Sequence, residues 1–136
     1  MGILTNCKPI DARNFSKSAK VTIQRTGKLG FSNEAAELFG LKDEQEKRLL
    51  IFDIGEDNLA AIVTRTNDEA GFKILKGGDY YYARMKNFFD SRSIPYQTKR
   101  VIYDISDTGE DLNGEKIYKL TQRIREYKKG ESDEEE

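Results

Sequence analysis

The sequence predicts an α+β fold of two ββαββ repeats, with a period of about 51 residues, forming a mostly antiparallel barrel or packed sheets with two short helices. Three observations lead there. VTIQRTGKLGFS, from Val21 to Ser32, returns 51 residues later as FKILKGGDYYYA, from Phe72 to Ala83. The same offset joins Leu38 to Phe89 and then IFDI, Ile51 to Ile54, to IYDI, Ile102 to Ile105. Alternating apolar residues around glycine bends mark hairpins, and each hairpin runs into a short stretch that can be helical.

Residues 1–20 carry Lys8, Arg13, Lys17 and Lys20 against Asp11, include Pro9, and read as an irregular basic arm in which Ile3 and Leu4 could add a brief edge strand. From Val21 the alternation is clear: Val21 and Ile23 face one way, and Leu29 and Phe31 do so after a bend at Thr26-Gly27. Glycine at the second central position supplies the positive φ of a two-residue hairpin turn, and Gly77-Gly78 repeats it. Ser32 can cap a helix of about two turns whose apolar face is Leu38, Phe39 and Leu41, with Gly40 in the left-handed position that ends it. KDEQEK is a charged loop. Leu49 to Ile54 reads as a largely buried strand, and Leu59 to Thr66 completes the first unit, residues 21–66. The second unit, residues 72–122, repeats the order: a hairpin from Phe72 to Arg84, a helix around Met85 to Ser91, Pro95 as a stop, a strand from Arg100 to Ile105 and one from Lys116. EKIYKLTQRIREYKK fits either period; repeat logic favours a strand that frays or turns helical after Gln122.

Composition bounds the function. A chain of 136 residues suits one domain, here residues 21–129, and seven Tyr with seven Phe argue for a packed core despite 35% charged residues. The single cysteine, Cys7, precludes an internal disulfide and fits a reducing, cytoplasmic setting in which a bland thiol is expected. No apolar run suits a membrane span or a signal peptide, and Asn6 breaks a myristoylation pattern at Gly2. The last six residues, ESDEEE, hold five acids; without them 23 basic residues face 19 acidic ones, a bias toward polyanionic partners. Residues 130–136 are expected to be a disordered, solvated tail that serves solubility or acts as an intramolecular decoy for a basic surface.

TGKLGFS, AAELFGL and RLLIFDIGEDNLAAIV together resemble the AbrB and SpoVT type of swapped-hairpin DNA-binding domain. The resemblance covers about a third of the chain well and, through the second repeat, another third loosely. It implies two units interlocked into one cradle-loop barrel, from one chain or by dimerisation, and DNA as partner. Where that family usually has a proline and more arginines at the helix start, this chain has Ser32 and Asn33. A second parsing, with four strands from Leu49 to Arg84 between the helices, resembles the Whirly-type single-stranded DNA-binding fold.

The absence of histidine excludes histidine bases, triads and histidine-ligated zinc, and no phosphate-cradling Gly-rich loop occurs. Asp53 and Asp104 recur at equivalent positions, where capping a turn explains them better than a catalytic pair. Asp104 to Glu115 has calcium-loop spacing, but Asp111 stands where such loops are apolar, so an acidic insertion in a hairpin is the better reading. No enzyme, metal, cofactor or small-molecule substrate is expected. The expected function is non-catalytic nucleic-acid binding, DNA before RNA, by a small homodimeric domain that regulates transcription or binds single strands; the alternative is a protein-interaction or structural assembly module. Candidate contacts are Arg25, Lys28, Lys73, Lys76, Arg84, Lys99 and Arg100 for phosphates, with Arg123, Arg125, Lys128 and Lys129 extending the basic surface. Alternation turns Tyr80 and Tyr82 inward and Tyr81 outward, where Tyr81 could stack on a base or only shield a sheet neighbour.

Overall fold

Strands with one apolar face bury all of those faces at once, and lose both exposed edges, when their sheet closes on itself. The computed structural model, which describes residues 19–66 and 69–131, does this in a closed antiparallel barrel of eight strands with two short helices. The elements are β1 (Lys20–Ile23), β2 (Lys28–Phe31), α1 (Asn33–Leu38), β3 (Arg48–Gly55), β4 (Asn58–Thr64), β5 (Phe72–Gly77), β6 (Tyr80–Arg84), α2 (Lys86–Ser91), β7 (Arg100–Leu112) and β8 (Glu115–Arg125). Around the ring they run β1-β2-β6-β5-β3-β4-β8-β7, so hairpins from the first and second halves alternate. One chain closes the barrel without a partner. The arm up to residue 18, with Cys7, and the tail beyond Glu131 lie outside the described residues.

The first hairpin turns through three residues, Arg25 to Gly27, rather than two: Gln24 N–H donates to the Lys28 carbonyl at 2.8 Å, and Ile23 opposes Leu29. The second has only Gly78 and Asp79 between the paired Gly77 and Tyr80. Gly27 is obligatory, with φ of +88° and a virtual Cβ only 2.4 Å from Lys86 Cβ. That contact seats the first hairpin on the start of α2, and Met85 N–H donates to the Gly27 carbonyl. Ser32 Oγ caps α1 by accepting from Ala35 N–H at 3.1 Å, and it also accepts from Lys20 N–H. At the other end Gly40, φ +65°, lets Leu41 N–H reach the Ala36 carbonyl, the terminator expected there. The apolar face of α1 is as expected at Phe39 and Leu41 and differs at Leu38. Ala35, Ala36 and Phe39 are buried, whereas Leu38 is exposed because it lies on the far side of a helix only six residues long.

Inward positions carry Val21, Ile23, Leu29, Phe31, Leu49, Leu59, Ala61, Ala83, Val101, Tyr103 and Leu120, and both helices drop aromatic rings on to them. Phe39 meets Phe31 and Tyr118 edge-on with centroids 5.8 and 4.8 Å apart, and Phe89 packs beside Tyr96. Apolar residues inside and charges outside is the reverse of a membrane-spanning barrel. β3 is less buried than expected, since it pairs with β5 only through Arg48 and Leu49 and its far end, with Phe52 and Ile54 exposed, projects from the barrel. Asp104 to Glu115 lengthens the β7–β8 hairpin relative to β3–β4, as paired strand around an irregularity between Asp107 and Asp111. β8 stays extended to Arg125, so no helical turn follows Gln122.

Candidate nucleic-acid interface

Opposed like charges weaken a sheet, yet basic residues face each other at one level of this barrel three times. Arg100 opposes Arg125, Lys28 opposes Arg84, and Arg48 opposes Lys73. All six occupy outward positions, alternating with inward neighbours such as Val101, Leu29, Ala83 and Leu49. The β1–β7 register continued by one step puts Gln24 beside Arg100, and Gln24 is bonded to Lys28; the β5–β6 register continued likewise puts Arg84 beside Lys73. The result is a basic row crossing neighbouring strands at intervals of about 4.8 Å. Glu46 lies 3.4 Å from Arg48 and 3.5 Å from Lys73, which balances one end. In the middle, Lys28 and Arg84 make no ion pair among the described residues and instead approach the face of Tyr82, at 4.8 and 5.8 Å from its centroid.

The tyrosine cluster is turned by one residue from the sequence expectation. Phe31 opposes Tyr81 and Gly30 opposes Tyr82, so Tyr81 packs against the core while Tyr80 and Tyr82 lie outside. Their rings stand 5.5 Å apart over Gly77, whose missing side chain makes room for them. The half-buried pair sits directly beside the basic row. Tyr81 is therefore not an outward stacking ring, and Lys76, its cross-strand partner, stays with it at a cleft of about 490 Å³ closed by residues 41–47. Buried Lys47 shapes that loop by donating to the carbonyls of Asp43 and Gln45, and its bond to Asp43 holds that carboxyl down at about 2.

At the β8 end the row enters a concavity of about 310 Å³ lined by Lys20, Arg100, Arg123, Arg125 and Lys128. Burial, then the nearness of Arg123 and Arg100, lowers the Lys20 pKa. Arg123 is held by both oxygens of Asp104, at 2.9 and 3.1 Å. Glu131, expected in a solvated tail, instead has a side chain only 5% exposed that lies within this basic lining. Arg25 stacks on Tyr127, its guanidinium carbon 3.8 Å from the centroid, and Arg100 lies 5.8 Å from the same ring.

Of the residues named from sequence, Lys28, Lys73, Arg84 and Arg100 thus share the row and Arg25 adjoins it. Lys99 is close by but tied to Glu126, and Arg100 is only 2% exposed beneath the segment carrying Tyr127 and Glu131. Lys20 and Arg48 were missed, because only strand register shows what stands beside them. The two aspartates part company. Asp53 accepts from Gly55 N–H and pairs with Arg92, as a turn residue does, whereas Asp104 is a mid-strand ion-pair partner and caps no turn. No group of three metal-ligating side chains occurs among the described residues, and none of their helices is long and apolar enough to cross a membrane. Comparison with protein-family models, curated proteins and solved structures finds no match.

Proposed function

We propose that this chain is a non-catalytic nucleic-acid-binding domain that holds single-stranded DNA against the outward face of β2, β6 and β5, continued toward the concavity at the β8 end. The observation that carries this reading is the set of three like-charged cross-strand pairs on one level. Glu46 balances Arg48 and Lys73 and Glu131 balances Arg100 and Arg125, while Lys28 and Arg84 oppose each other with no ion pair among the described residues; phosphates of a polyanion are suited to neutralise such pairs. Tyr80 and Tyr82 add aromatic surface beside those cations, the combination that takes bases of a single strand without reading their sequence. The ring order supports reading the halves as two ββαββ repeats, because exchanging β1 to β4 with β5 to β8 leaves it unchanged. Titration of isotopically labelled protein with a single-stranded oligonucleotide tests the surface. Resonances of Lys28, Tyr82 and Arg84 should move first, while those of Lys42 to Glu44 stay in place. Movement confined to the 41–47 loop, or no movement at low salt, overturns the assignment.

A further inference from the structure

The concavity at the β8 end already holds an anion. Glu131 accepts from Arg125 through both oxygens, at 2.9 and 2.5 Å, and from the Lys128 backbone N–H at 2.9 Å, with Arg100 Nε 3.5 Å away. A guanidinium grips a phosphate with the same two-pronged geometry, and a backbone N–H completes the set. The carboxylate arrives on a short turn, closed by Glu131 N–H donating to the Lys128 carbonyl and passing through Gly130 at φ +78°. A purely structural ion pair needs neither further cations nor space around it. Here Lys20, Arg123 and Lys128 line the same open volume, and among the described residues only Arg123 of these three has a strong carboxylate partner of its own, Asp104. Burial first, then Arg123 and Arg100, lowers the Lys20 pKa, and among the described residues five cations line the concavity against Glu131 and the Asp104 that pairs with Arg123.

We propose that Glu131 is an internal stand-in for a ligand phosphate: it closes a phosphate site in the free protein, and the incoming phosphate displaces it from Arg125 and uncovers Arg100. The proposal rests on the nucleic-acid reading for its natural ligand but not for its chemistry. The geometry assigns the site to a phosphate group, and the regulation to competition between that group and the chain's own carboxylate.

The test uses the full chain and its Glu131→Gln variant with two probes, a single-stranded oligonucleotide and inorganic pyrophosphate. The variant keeps the shape of the side chain and removes its charge, so both probes should bind it at least about fivefold more tightly than the parent, the size of a modest coupling between competing ligands. In the parent, saturating pyrophosphate should also shift the Lys128 backbone amide resonance, since that N–H loses its carboxylate partner; this readout needs no variant. Equal affinities of parent and variant for both probes, or a Lys128 amide that does not move at saturation, overturn the stand-in. Tighter pyrophosphate binding by the variant, with no oligonucleotide binding by either protein, upholds the stand-in and overturns the nucleic-acid reading.

Discussion

Replacing Lys28 and Arg84 together with threonine separates a functional charge pair from a structural one. The two face each other across β2 and β6 and make no ion pair among the described residues. Their removal relieves an opposition worth about 0.2–1 kcal/mol and forfeits cation–π contacts with Tyr82 worth about 0.5–1 kcal/mol each at an exposed site. Threonine suits a strand, so net stability should change by less than about 2 kcal/mol in a urea titration. Binding should respond quite differently. Each phosphate contact contributes about 0.7 to the salt slope for a single strand, so two lost contacts lower the slope by about 1.4. Between roughly 50 and 200 mM salt that amounts to a sevenfold smaller loss of affinity. Anisotropy of a labelled oligonucleotide across that range reads it. An unchanged slope, or a stability loss above about 3 kcal/mol, would refute the reasoning.

Other outcomes follow from the same geometry. Tyr82→Ala should weaken single-strand binding by about 1–3 kcal/mol while Tyr82→Phe keeps most of it, and Tyr81→Phe should leave affinity unchanged because that ring faces the core. Gly27→Ala combines a left-handed φ with a clash against Lys86 and should cost at least about 1–3 kcal/mol in denaturant unfolding. Glu131 should titrate at about 2, against an ordinary 4.5, because Arg125 hydrogen-bonds its charged form. A depressed carboxyl contributes stability that is complete above the unfolded value and is lost as pH falls through the folded one. That contribution should therefore disappear between about pH 4.5 and 2, and a carboxyl resonance titrating near 4.5 would contradict it.

Local chemistry was the legible part. Ser32, Gly40 and Leu41 announce the ends of α1 because caps and terminators depend on residues a few positions apart. Strand alternation likewise identified most of the core. The tyrosines went wrong through a single parity. A constant offset carries Val21 to Phe72 and Ile23 to Ile74 correctly, but a three-residue loop in one hairpin and a two-residue loop in the other flip every side chain that follows. Arg48, Lys73, Lys28, Arg84, Arg100 and Arg125 are visible as residues in the sequence; their shared level is created by strand pairing across the barrel, which a linear pattern does not encode. Glu131 looked like one acid among five because nothing nearby in sequence discloses that Arg100 lies beneath it.

The most direct test is fluorescence anisotropy of the full-length protein with labelled single-stranded and duplex DNA at low and physiological salt. The account predicts preferential single-strand binding that weakens steeply as salt rises, in keeping with cations that meet phosphates beside a tyrosine pair. Absence of binding to either DNA at low salt, or an affinity indifferent to salt, would contradict it.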